Sequence, residues 1–289
     1  MQLKKAVASM LLACGLSAPM FSVIKASFAF AGIMEVLLCH FFFAGLVTGI
    51  LCLRLQRNQW KIKGKGLLVV RILLGLFTTI GLFVATSKMP IVHVSLLLNT
   101  APLFVPLISL VWLKEKLSWP LWAAIFIGFS GVVLVLNPGG DLSLTGAFLG
   151  LSGAMASAFS MVICRKLVQN NHPLILSFFL ILAGTIVLAL MLPWTFTPMS
   201  SQLILNTALS GTLFAVELYF FTKAFEYASA SLLGPFNYAG VLMAAIVGFV
   251  AWGDVPNALG WIGMSLVILG GSSIFILPKR APQQATDLV

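Results

Sequence analysis

The sequence predicts an all-α membrane protein of ten transmembrane helices arranged as two inverted five-helix repeats. Three observations carry this: apolar runs of spanning length along the whole chain, basic residues confined to alternate loops, and an internal similarity between the two halves. Of 289 residues, 60% are hydrophobic and 8% charged, with a mean hydropathy of +1.09. A soluble domain carries about 25% charged residues, so too little polar surface is available here to face water.

Runs near 20 residues match a hydrocarbon core of roughly 30 Å. They lie at 5–25, 33–53, 66–88, 90–113, 119–137, 144–165, 173–193, 202–222, 228–252 and 258–277. The breaks carry charge or turn chemistry, as in Lys114-Glu115-Lys116, Asn137-Pro138-Gly139-Gly140-Asp141 and Gly253-Asp254. The first run, from Ala6 to Ile24 with Pro19 inside it, is longer than the apolar stretch of a signal peptide and reads as a retained helix.

With the N-terminus in the cytoplasm, 15 of the 17 basic residues fall on or near the inner side, among them Arg54, Arg57, Arg71, Lys114, Arg165, Lys223 and Lys279; Lys25 and Lys88 fall outside. That bias follows the positive-inside rule and places both termini in the cytoplasm, as in a multi-pass protein of the inner membrane. Trp60, Trp112, Trp119, Trp194, Trp252 and Trp261 stand near predicted helix ends, where an interfacial aromatic belt is expected. The net charge of +10 is thereby a topology signal, and nucleic acid is not an expected partner. The four cysteines lie in apolar runs without metal-ligand or redox spacing. Neither a metal nor a cofactor is expected.

Sliding the chain against itself by 139 residues superimposes Lys88–Glu115 on Tyr227–Asp254 and Gly131 on Gly270. The repeats are read as 1–139 and 140–278, followed by a cytoplasmic tail at 279–289. Five helices per half is an odd number, so the halves run in opposite senses, the weak internal symmetry of inverted-repeat transporters.

The run Ala85-Thr86-Ser87-Lys88-Met89-Pro90 through Leu98-Asn99-Thr100-Ala101-Pro102 to Pro106, ending in Leu113-Lys114-Glu115-Lys116-Leu117, resembles the signature of EamA-type members of the drug/metabolite transporter superfamily. Ala228-Ser229-Ala230-Ser231-Leu232-Leu233-Gly234-Pro235 through Trp252-Gly253-Asp254 resembles the same signature in the second half, and Lys25 suits the family's early helices. His40 stands where an arginine is usual, and Cys14-Gly15 where Trp-Gly is common. The resemblance spans nearly the whole chain. It implies a secondary active transporter with a central cavity and alternating access, carrying a small polar or amphipathic metabolite: an amino acid or derivative, an S-adenosylmethionine-like compound, or a vitamin. Its expected partners are that small molecule and the lipid bilayer, with proton coupling among the readings and a monomeric or homodimeric state. A membrane-embedded enzyme or lipid-handling protein is the alternative. The sequence has no zinc-protease, nucleophile-elbow or phosphate-loop motif, so no enzyme activity is expected.

Candidate binding residues lie where helices are interrupted near the midplane. Pro102 and Pro106 lie close to Asn99 and Thr100; Gly234-Pro235 precedes Asn237 and Tyr238, and the offset brings these two groups to corresponding depths. Proline removes a donor and frees carbonyls for a ligand; helix kinking and interhelical packing are the competing reading. Glu217 sits in Phe214-Ala215-Val216-Glu217-Leu218-Tyr219, with no basic residue within four positions. A charge at that depth costs roughly 3 kcal/mol on insertion scales. It is either a protonatable or cation-binding group, or one half of an ion pair with Arg71 or Lys223. Its repeat mate is Thr78, beside Thr79. His40 and His93 read as packing residues, and Gly146, Gly150, Gly153 and Ser157 as a close-packing face.

The topology has a direct check. Single cysteines introduced at Gly140 and Asn257 should react with an impermeant maleimide in intact cells, and those at Gln59 and Gln283 only after permeabilisation. Outside labelling at Gln283 would reverse the orientation.

Overall fold

Helix starts and stops follow local chemistry in a computed structural model that describes residues 2–112, 119–136, 144–191, 200–228, 233, 236–237, 239–253, 255 and 257–276. The first-half helices are α1 (Gln2–Ser27), α2 (Ile33–Cys52), α3 (Lys65–Lys88), α4 (Ile91–Leu98), α5 (Ala101–Trp112) and α6 (Trp119–Leu136). The second half has α7 (Leu144–Val168), α8 (Pro173–Met191), α9 (Ser201–Tyr227), α10 (Ala239–Trp252) and α11 (Ala258–Ile276). No strand occurs among the described residues.

The Glu35 carboxylate accepts the Gly32 N–H at 3.1 Å where α2 begins, and Ser200 Oγ accepts the Leu203 N–H at 3.1 Å to cap α9. Asn257 Oδ1 does the same for Gly260 N–H at 2.7 Å ahead of α11. Gly253 ends α10 at φ +67°, a left-handed conformation that favours glycine. At the other end of α9, Arg165 donates to the carbonyls of Phe225 and Glu226, satisfying last-turn acceptors that lipid would leave bare.

Six helices (α1, α2, α3, α7, α8 and α9) are long and apolar enough to cross a bilayer. Shorter apolar stretches at Leu96–Val105, Trp122–Gly131, Leu242–Trp252 and Ala258–Gly270 occupy the other four predicted spans. The fourth span differs from its sequence reading as one continuous helix: it turns at Asn99–Thr100, between α4 and α5. The Pro102 nitrogen has no hydrogen for the Leu98 carbonyl. The chain tightens instead, with Thr100 N–H donating to Leu97 O at 3.1 Å and Thr100 Oγ1 to the same carbonyl at 2.6 Å.

Shifted by 139 residues, α2 (33–52) maps onto 172–191 and α6 (119–136) onto 258–275, within one residue of α8 and α11. Packing repeats the relation. α1 lies on α9 as α3 lies on α7, while α2 meets its own mate α8 and α6 its own mate α11. The α6–α11 contact is reciprocal in detail. A Cβ on Gly131 would come within 2.5 Å of Gly263 O and 2.8 Å of Val267 N; one on Gly270 would come within 2.7 Å of Ala124 O and 2.5 Å of Gly128 N. Gly131 and Gly270, Ala124 and Gly263, and Gly128 and Val267 are each 139 residues apart. A self-complementary contact of this kind is what a pseudo-two-fold axis produces. Of the close-packing face expected in α7, Gly150 faces Leu97 and Gly153 faces Thr78, whereas Ser157 lines a cavity.

Gly131→Ala and Gly270→Ala should each lower the melting temperature of the detergent-purified protein, at a cost of about 1–3 kcal/mol for overpacking. Because either methyl group wedges the same two helices apart, the double variant should lose less than the sum of the two. Strict additivity in thermal melts would mean two independent contacts.

Candidate functional site

A cavity of about 150 Å³ opens between the two halves. α1 contributes Cys14 and Ser17, α3 contributes Arg71, Thr78 and Thr79, α7 contributes Ser157 and Ser160, and α9 contributes Phe214 and Glu217. Asn99 closes it at the α4–α5 turn, together with Asn237 and Gly240. Cys14, Thr78 and Ser157 lie near the middle of their helices, so the cavity sits at the depth where inverted-repeat folds bind ligands. Among the described residues, none of α6 or α11 is in its lining; that pair is scaffold.

Five of the seven residues singled out from sequence line this cavity: Thr78, Thr79, Asn99, Glu217 and Asn237. Thr100 is fully buried, with its hydroxyl committed to Leu97 O. Tyr238 lies outside the described residues. Asn99 and Asn237 are drawn to one corner. A Cβ on Gly240 would lie 3.4 Å from Asn99 Nδ2 and 3.8 Å from Cys14 Cβ, and Cys14 Sγ is 3.8 Å from Asn237 Oδ1. The threonine hydroxyls are already engaged. Thr78 Oγ1 donates within its helix to Leu74 O at 2.9 Å and lies 3.0 Å from Gly153 O of α7, while Thr79 bonds Gly75 O at 2.9 Å. These two offer a ligand lone pairs and shape more than free protons.

Glu217 Oε2 is buried and has no hydrogen-bond partner. Neither basic candidate from the sequence pairs with it among the described residues. Lys223 Nζ donates to Tyr219 Oη at 3.0 Å, and Arg71 Nη2 donates to Thr222 Oγ1 at 2.9 Å. The ion-pair reading of Glu217 therefore has no counterpart in this conformation.

The cavity-facing role of Arg71 is what sequence reasoning misses. The sequence groups Arg71 with the inner-side topology residues and offers it as an ion-pair candidate for Glu217, yet it is 2% exposed and lines the cavity, with Nε and Nη1 lacking any partner among the described residues. A signal was present: Arg71 stands six residues inside α3, between Val69-Val70 and Ile72-Leu73-Leu74, whereas a topology anchor belongs at the helix end with Lys65. His40 lines the cavity as well, with Nε2 buried and unpartnered among the described residues. Its Nδ1 is 3.0 Å from Ser210 Oγ and its ring packs against those of Phe41, Phe83 and Phe214. The C-terminal end of α1 is tied to α10 by Trp252 Nε1–H donating to Ser22 Oγ at 3.0 Å, with Lys25 Nζ 4.5 Å from the centre of the Trp252 ring.

Comparison with known proteins agrees with this architecture. The chain is 28% identical over 218 residues to a riboflavin transporter of Vibrio cholerae, covering 75% of this chain and 71% of that protein. It is 26% identical over 216 residues to a pseudopaline exporter of Pseudomonas aeruginosa (72% and 74% covered). An S-adenosylmethionine uptake transporter of Rickettsia conorii is 25% identical over 204 residues (70% and 68%). One solved crystal structure superposes with a TM-score of 0.65 at 19% identity, covering 94% of this chain and 95% of that one, a likeness of fold. The profile of the EamA-like transporter family matches twice, at residues 4–137 and 144–276. The chain belongs to the EamA-like transporter family, and it is a multi-pass membrane protein that transports a small molecule.

Proposed function

We propose that this protein is a secondary active transporter of the inner membrane, with both termini in the cytoplasm, that carries an amino acid or amino-acid derivative by alternating access. S-adenosylmethionine-like compounds and vitamins fall within the same reading, because relatives are named for S-adenosylmethionine and riboflavin. The observation that carries the proposal is Glu217: a carboxylate with an unpartnered buried oxygen, in a cavity between two pseudo-symmetric halves. A lone carboxylate at mid-membrane depth is costly, and it is retained where a cation or a proton must be held. The α4–α5 turn beside Asn99 provides unwound backbone at the same depth. Rocking one repeat against the other about the α2–α8 and α6–α11 contacts would open the cavity to each side in turn. Asn99, Asn237 and Tyr238 would hydrogen-bond the substrate, Thr78 and Thr79 would shape its seat, and Thr100 would fix the turn. Glu217 would take up the coupling proton.

Liposomes containing the purified protein should move one or more of riboflavin, S-adenosylmethionine or the common amino acids without chemical change, faster with an imposed proton gradient. Chemical conversion of the solute would favour an enzyme instead. Glu217→Gln keeps the shape but cannot ionise. It should fold and insert normally yet lose the response of flux to the gradient; a wild-type pH profile would remove Glu217 from coupling. Asn99→Ala and Asn237→Ala should weaken transport at normal expression, and wild-type rates in both would make them packing groups.

A further inference from the structure

Arg71 presents the converse problem to Glu217. Of the described acidic residues, Glu35 caps the outer end of α2, Glu226 sits in the last turn of α9, and Glu217 forms no ion pair. The guanidinium carries five N–H donors and no acceptor. Thr222 Oγ1 takes one of them at 2.9 Å, and Thr222 is itself braced by Ser177 Oγ at 3.3 Å. Cys164 of α7 stands beside the pair. No described residue satisfies Nε or Nη1, although both are buried in the cavity wall. A guanidinium is always charged and favours the planar two-oxygen face of a carboxylate.

The two orphan groups share one cavity. Arg71 and Glu217 both line it, and each holds buried polar atoms that no described residue satisfies. Arg71 is anchored at Thr222, on the same helix as Glu217 and five residues beyond it. An amino-acid head group carries a carboxylate that suits a guanidinium and an ammonium that suits a carboxylate, so one ligand of that class would answer both groups.

We propose that Arg71 is the anion-binding group of the central cavity and that, together with Glu217, it selects zwitterions over compounds bearing either charge alone. This rests on the transporter reading above and narrows its substrate class to molecules with an amino-acid head group. Arg71 touches the substrate directly; it is not a structural counter-ion.

The test is thermal melting of the detergent-solubilised full chain against three sets of probes, since a ligand that binds only the folded state raises its melting temperature. The zwitterions are S-adenosylmethionine, L-methionine and L-histidine. The single-charge counterparts are methionine methyl ester, 4-(methylthio)butanoate, histamine and imidazole-4-propanoate. Riboflavin is the neutral arm. At least one zwitterion should raise the melting temperature by several degrees while its single-charge counterparts do not. Arg71→Gln should erase that shift, and Arg71→Lys, which keeps the charge without the planar fork, should retain part of it. A structural role would instead lower the ligand-free melting temperature of Arg71→Gln or prevent its folding, and Arg71→Lys would then respond to the zwitterion as wild type does; either result overturns the proposal. Equal shifts from zwitterion and single-charge probe, a shift from riboflavin alone, or no shift from any probe also overturn it. Flux of the same probes in wild-type liposomes separates the two levels. Riboflavin flux that is indifferent to Arg71→Gln sinks the zwitterion site and leaves the transporter standing. Absence of flux for every probe counts against both.

Discussion

The close approach of helix backbones at glycines across the two halves is the contact on which the rest of the bundle depends. Lipid tails are as apolar as leucine, so helices in a bilayer gain little from hiding hydrophobic side chains against each other. Tight packing and satisfied polar groups must hold them. At Gly131 and Gly270 the facing atoms are main-chain nitrogens and carbonyl oxygens, close enough that an added methyl would overlap them. Gly211 of α9 meets the carbonyl of His40 in α2 in the same manner, at 2.5 Å from a built Cβ. Held at main-chain distance on their symmetry axis, α6 and α11 leave the other helices to enclose a space instead of collapsing into a single core.

The sequence carried this scaffold in a form that could be read. Spanning length and the 139-residue offset are properties of position along the chain, and a helix preserves position along its axis. The limits of α2, α3, α6 and α8 fall within about two residues of the runs read from hydropathy. Rotation about the axis is what hydropathy leaves open in a membrane, because lipid-facing and protein-facing positions are both apolar. Arg71 shows the consequence. Depth alone groups it with the inner-side anchors, whereas its rotation turns it into the cavity that Glu217 also lines. The turn at Asn99–Thr100 escaped for a related reason. Proline marks a missing donor, but a kinked continuous helix and a full break lack the same donor, and the Thr100 hydroxyl on Leu97 O stabilises the break.

Symmetry holds for the backbone and fails for the chemistry. Thr78 and Glu217 are repeat mates, as are Gly153 and Cys14. In one half Thr78 Oγ1 reaches the Gly153 carbonyl; in the other, Glu217 stands beside Cys14 with an oxygen left unpaired. The mate of Arg71 is Ser210, whose hydroxyl lies 3.0 Å from His40 Nδ1. In each pair the small polar residue, Thr78 or Ser210, closes an ordinary interhelical contact, and its charged mate in the other repeat keeps buried polar atoms unpaired. Under the proposed alternating access, the matching halves would supply two equivalent ways to tilt the bundle, and the mismatched side chains would set what is held at its centre.

One further constraint follows from the one cation and one anion among the described residues lining the same cavity, Arg71 and Glu217. Moving an elementary charge across the membrane potential involves about 2.3 kcal/mol per 100 mV. With Arg71 and Glu217 both ionised, their charges cancel, and the proposed change of access around them would carry no net fixed charge through the field. A bound zwitterion would leave that balance unchanged, because its ammonium and carboxylate cancel as well. Under the proposed coupling, a proton on Glu217 would unbalance it by one charge and tie the orientation of the bundle to both the potential and the pH gradient. Arg71 would then serve the step proposed for Glu217 as well, by keeping the empty, deprotonated cavity free to return.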